Sequence, residues 1–197
     1  MIIRPPEDIS HQIINSAQKV YRNLDIDPHI SLGSAFYCTR FSFIDRVKDW
    51  LEDQEPFVFT LRNVANFPNR KTVSLVSDNI EEIREIRDLY CGLNSLLIEE
   101  TKRTRDRYKL NPHLTLGSFG SIMEAINAKS NFRQSFDNPI PIPITKIDFN
   151  EKNGNERWEI IDCFQVGSEK AARQLVTADE YGFNQNNRAS IASACSL

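Results

Sequence analysis

Three histidines occur in the 197-residue chain, His11, His29 and His113, and two of them stand in matched surroundings. Pro28-His-Ile-Ser-Leu-Gly33 and Pro112-His-Leu-Thr-Leu-Gly117 share one pattern: proline, histidine, aliphatic, hydroxyl, leucine, glycine. Read as a strand, each segment puts its histidine and hydroxyl on one face, about 7 Å apart. His29 with Ser31, and His113 with Thr115, then line a polar face, while Ile30, Leu32, Leu114 and Leu116 turn to a core. The glycine that follows leaves the polar face open, as a ligand pressed against the backbone requires. Two such strands brought together present two imidazoles and two hydroxyls. Because imidazole changes protonation near neutral pH, one can act as base while the other acts as acid. That division suits in-line displacement at phosphorus. One imidazole deprotonates water or a sugar hydroxyl, and the other protonates the leaving oxygen. The hydroxyls donate to the non-bridging oxygens, where negative charge must be held. This chemistry requires neither metal nor cofactor. Neither motif carries a carboxylate or a further histidine, so a zinc site is a poor second reading.

Other side chains are candidates of lower rank. Tyr37 follows the first motif and Phe119 the second, where they serve either as a platform for base stacking or as ordinary core. The basic run from Lys102 to Lys109, with Arg105 at its centre, leads into the second histidine strand. It either guides a polyanion to the site or forms a solvated helix end. Arg40 and Arg62 are further phosphate candidates, and His11 is read as a helix-packing or surface residue.

The elements that must position these residues repeat. Apolar spacing predicts helices from about Pro5 to Leu24, Ser42 to Glu52, Asn79 to Lys102 and Ser121 to Phe132. Extended segments are expected at His29–Tyr37, Phe57–Arg62, Lys71–Val76, His113–Phe119, Pro139–Asp148 and Trp158–Val166. The prolines at 139, 141 and 143 place that strand at a sheet edge. Each half therefore runs helix, Pro-His strand, helix, strand, strand. Such order suggests an internal duplication, with two copies too few for a solenoid. Residues 1–167 are expected as one domain of two lobes. Residues 168–197 are expected as an extension, partly helical or disordered.

Composition narrows the class without naming it. Net charge is −3 and 40% of residues are hydrophobic, which argues against a disordered chain and against a charge-driven nucleic-acid coat. A mildly acidic surface favours a small or terminal substrate over a long nucleic-acid tract. No apolar run approaches the roughly 18 residues of a membrane span, and no signal-peptide core opens the chain. Cys38, Cys91, Cys163 and Cys195 form no CxxC pair and are expected as reduced, mostly buried thiols. The expectation is a cytoplasmic monomer.

Two H-x-[S/T]-x-G strands, the F-x-F-x-L run at Phe57, Phe59 and Leu61, the turn ending Phe67-Pro68 and the long preceding helix together resemble a known family. It is the 2H phosphoesterase superfamily, in its LigT-like 2′-5′ RNA ligase and cyclic phosphodiesterase branch. The resemblance spans residues 10–167. It implies a bilobal, pseudo-symmetric α+β fold, with two antiparallel β-sheets lining a central cleft and helices outside. It also implies a metal-independent phosphodiesterase acting on 2′,3′-cyclic or otherwise 2′-linked phosphodiesters of nucleotides or RNA ends. Carried over by motif, His29 and His113 are the acid and base, and Ser31 and Thr115 bind the phosphate. The alternative is a module that binds a nucleotide or RNA end in the same cleft without turnover. Two departures stand out: the family's first strand is short or absent here, and the tail after Gly167 has no counterpart.

Overall fold

A computed structural model describes residues 1–32, 41–67, 70–101, 111–152, 158–168 and 171. Tyr37, Arg40, Arg105 and the tail from 172 onward lie outside the described residues.

Among the described residues thirteen elements follow one another: β1 (Ile2–Ile3), α1 (Glu7–Val20), β2 (Ile30–Ser31), α2 (Phe41–Glu52), β3 (Phe57–Leu61), β4 (Asn63–Ala65), β5 (Thr72–Val76), α3 (Ile80–Thr101), β6 (His113–Ser118), α4 (Ile122–Ser135), β7 (Ile140–Ile144), β8 (Lys146–Lys152) and β9 (Trp158–Gln165). After β1 the order helix, strand, helix and three strands occurs twice. A strand ahead of the first helix is thus present but only two residues long.

Local chemistry sets the helix starts. Glu7 and Asp8 occupy the first turn of α1, where carboxylates meet the positive end of the helix dipole. Asn79 Oδ1 accepts from the amides of Glu81 and Glu82 ahead of α3. Ser121 caps α4 by accepting from Glu124 N at 3.1 Å, and Glu124 reaches back to Gly120 N at 3.0 Å. The first helix stops at Val20 rather than Leu24. Tyr21 is already extended there, and Leu24 N instead closes a turn onto the Tyr21 carbonyl.

Seven strands form one sheet in the order β4-β5-β6-β2-β1-β8-β9, and β3 and β7 pair in a second sheet. Every described pairing is antiparallel. The two histidine strands, β2 and β6, are direct neighbours near the middle of the large sheet.

At two places the chain crosses directly between sheets: the first follows the expected strand Phe57–Arg62 and opens an unexpected one, and the second falls within the run expected from Pro139 to Asp148. Leu61 closes β3 and, after Arg62, Asn63 opens β4 in the other sheet. Ile144 closes β7 and, after Thr145, Lys146 opens β8 in the same way. A chain that crosses from one sheet to another keeps its extended backbone, so the sequence shows no break. The β3–β7 ladder sets Val58 against Pro143 and Thr60 against Pro141. Each strand of a two-stranded sheet has a free edge, where proline's missing N–H costs no ladder bond.

Beneath the histidine strands lies the core. Ile30, Leu114 and Leu116 are fully buried and Leu32 nearly so, in one cluster with Phe59, Leu61 and Ile142. Burying each such side chain contributes about 1.5–3 kcal/mol, which fixes the face on which the alternate residues emerge.

The cysteine expectation needs correcting. Cys91 and Cys163 are unpaired but exposed, on α3 and on edge strand β9 respectively. No described helix is long and apolar enough to cross a membrane.

Candidate active site

The β2–β6 register pairs Ile30 with Leu114. In an antiparallel ladder, one step to either side sets His29 beside Thr115 and Ser31 beside His113. The hydroxyl of each motif therefore lies against the histidine of the other. Directly opposed residues in such a pair have Cβ atoms about 4.5–5.5 Å apart, and diagonal ones are about 7–8 Å apart. Burial agrees with this face assignment: Ser31 is exposed and His29, His113 and Thr115 are half-buried, while Ile30 and Leu114 are sealed. The four side chains expected from the sequence emerge together on one side of one sheet.

Both imidazoles are oriented by the same local device. His29 Nδ1 lies 2.8 Å from the carbonyl oxygen of Asp27, and His113 Nδ1 lies 2.7 Å from that of Asn111. A carbonyl only accepts, so Nδ1 carries the hydrogen in each ring and donates it. In the neutral imidazole this leaves the Nε2 lone pair available as a base, and in the imidazolium it leaves Nε2–H as an acid. The proline ahead of each histidine favours the extended backbone at the preceding residue that this contact uses.

Beyond this shared device the two histidines differ. The Asp27 carboxylate stands 3.7 Å from His29 Nδ1. Arg4 follows β1 and holds that carboxylate, with Nη1 2.5 Å from Oδ1 and Nη2 3.4 Å from Oδ2. His113 instead meets the Phe67 ring edge-on, with centroids 4.8 Å apart. Sequence reasoning assigned none of Arg4, Asp27 or Phe67 a part in the site. Asp27 and Asn111 share a position two residues before each histidine, and that was the one available signal.

The polar face is not open throughout. A Cβ at Gly117 would meet Leu24 Cδ1 at 3.1 Å, so Leu24 from the turn after α1 fills the space expected for a ligand. Phe119 packs in an aromatic group, 5.5 Å from Tyr21 and 6.5 Å from Phe132 between centroids. Packing accounts for its aromatic character. Arg62 is likewise engaged, with Nη2 3.3 Å from Glu82 Oε1 and Nε 3.7 Å from Asp78 Oδ1. Among the described residues, no group of three or more His, Cys, Asp and Glu side chains is placed to hold a metal ion.

Known proteins share this fold. The family model described as the 2′-5′ RNA ligase superfamily matches residues 5–156, most of the chain and both histidine motifs. The chain belongs to the 2′-5′ RNA ligase superfamily, the 2H phosphoesterases. Among solved structures, Escherichia coli LigT in complex with 3′-AMP is similar at a TM-score of 0.56 and 16% identity, over 85% of this chain and 96% of that one. The TT0787 protein of Thermus thermophilus is similar at 0.55 and 16% identity, over 85% and 97% of the two chains. LigT in complex with NADP+ is similar at 0.56 and 14% identity, over 85% and 95%. No curated protein sequence matches significantly. These likenesses establish the α+β fold of a 2′-5′ RNA ligase superfamily member, with its two antiparallel sheets. Membership supports an enzyme of phosphoesterase or transferase type.

Proposed function

We propose that this superfamily member is a metal-independent phosphodiesterase that hydrolyses 2′,3′-cyclic or 2′-linked phosphodiesters of nucleotides or RNA ends. The observation that carries the proposal is the crossed pairing of His29 with Thr115 and Ser31 with His113. It gives a single phosphate two imidazoles with available Nε2 atoms and two hydroxyl donors on one face. In the reaction, one neutral histidine takes a proton from water at Nε2 as the water oxygen attacks phosphorus in line. The other histidine, protonated, delivers its Nε2 proton to the departing ribose oxygen. The P–O bond to water forms, the P–O bond to ribose breaks, and one proton has crossed from one imidazole to the other. Ser31 and Thr115 donate to the non-bridging oxygens, whose charge increases in the transition state.

Nucleotide substrates are supported by the relatives: Escherichia coli LigT has been solved with 3′-AMP, with NADP+ and with ATP. The protein is further proposed to act as a monomer in the cytoplasm, with residues 1–167 forming the catalytic domain. The test is a hydrolysis panel over 2′,3′-cyclic mononucleotides, cyclic-phosphate RNA ends, ADP-ribose cyclic phosphate and 2′,5′-oligoadenylates, with 2′- and 3′-phosphate products separated. Turnover of at least one without added metal supports the proposal. Tight binding of a cyclic nucleotide with no product after long incubation would replace it with a binding module.

A further inference from the structure

His29 is served by a chain of side chains that has no counterpart at His113 among the described residues. It begins at Asp148 on β8, a buried charged residue at 8% exposure. Arg4 Nε is shielded from solvent and lies 3.0 Å from Asp148 Oδ2, an ion pair without hydrogen-bond alignment. Arg4 then grips Asp27 with both of its terminal nitrogens. The Asp27 carbonyl takes the Nδ1 hydrogen of His29. Sheet register places the parts: Ile2 pairs with Asp148 and Ile3 with Ile30, so Arg4 continues β1 alongside His29.

Stability does not account for the Arg4–Asp27 half of this arrangement. Asp27 is 60% exposed, and such surface pairs contribute about 0–1 kcal/mol. Its evident consequence is orientation. Asp27 lies in the irregular segment between α1 and β2, where backbone is free to rotate unless something outside the segment fixes it. Arg4 fixes it. A planar guanidinium paired on one side with a buried carboxylate is a bracket for the carboxylate on the other.

We propose that Arg4 is a positioning residue for His29, held by Asp148 and acting through Asp27. It fixes the carbonyl that selects the Nδ1–H form of the ring and so aims Nε2 at the phosphate. This rests on the two-histidine reading above.

The test uses Arg4→Gln and Asp27→Asn, the second at an exposed site where the fold tolerates change. Each is expected to lower kcat about tenfold or more while KM stays within about twofold, short of the ~10²-fold cost of a 1 Å misplacement. The double variant should be no worse than the poorer single one. Arg4→Gln should cost nothing further when His29 is already Ala. Nitrogen-15 NMR of the imidazoles gives a readout that needs no substrate: in Arg4→Gln, His29 should populate both tautomers while His113 keeps Nδ1–H. The proposal is overturned if His29 stays wholly Nδ1–H, if KM rises with kcat unchanged, or if the Arg4→Gln loss persists in the His29→Ala background. If no phosphodiester is turned over, the tautomer result still decides the positioning role, and only the functional reading falls.

Discussion

His29 and Thr115 come from opposite halves of the chain, yet the β2–β6 register sets them side by side. The same step sets Ser31 against His113. Each half thus supplies a histidine whose neighbouring hydroxyl comes from the other half, and neither half alone completes the arrangement.

Loss of one hydroxyl should then reduce catalysis without removing binding altogether. Thr115→Val and Ser31→Ala are expected to lower kcat by about 10²-fold each, the scale of losing one donor to a charged transition state. Steady-state kinetics on whichever cyclic nucleotide is turned over would measure it. Unchanged kcat in both variants would remove the hydroxyls from the mechanism.

Helix α3 approaches α2 closely at Gly92. A Cβ there would stand 2.1 Å from Trp50 Cζ2 and 2.4 Å from Cη2, so the indole or the helix must move. Gly92→Ala is expected to cost about 1–3 kcal/mol as an overpacked site. At this chain length that corresponds to a fall in melting temperature of roughly 2–4 °C per kcal/mol. Thermal denaturation checks it, and the smaller Trp50→Phe side chain, introduced together with Gly92→Ala, should recover part of the loss.

Although the residue is exposed overall, the Cys163 thiol has its pKa raised, chiefly by partial burial and then by the hydrogen bond to Asp148. Less thiolate is present at a given pH, so alkylation should be slower than for an unstructured cysteine. Asp148→Asn removes the carboxylate's contribution and should speed the reaction. The stability linkage has a definite sign. A thiol whose folded pKa is raised favours the folded state below its unfolded pKa, and that advantage is lost as pH rises through the raised value. Cys163→Ser should therefore flatten part of the alkaline decline in stability, as measured by denaturant titration across that range.

The histidine pair was legible in the sequence because strand alternation is local. Ile30 and Leu114 are buried, so period two alone puts His29, Ser31, His113 and Thr115 on the far face. The helices were legible for the same reason, to within a turn. What escaped depended on contacts distant in sequence. Nothing in a two-residue strand announces that Arg4 will lie beside His29, or that Asp148, far along the chain, will hold it. Apolar spacing carries the first helix to Leu24, whereas the chain turns at Tyr21 and lays Leu24 over Gly117. Likewise β7 and β8 read as one strand, because crossing between sheets leaves hydrophobic alternation nearly intact, and the three-residue β4 is too short to show a pattern of its own.

The most direct test of the central claim is turnover of 2′,3′-cyclic nucleotides by His29→Ala and His113→Ala, with folding verified by circular dichroism. The two-histidine mechanism predicts that each substitution lowers kcat at least 10²-fold. Both variants retaining wild-type turnover on every substrate the native protein hydrolyses would contradict it.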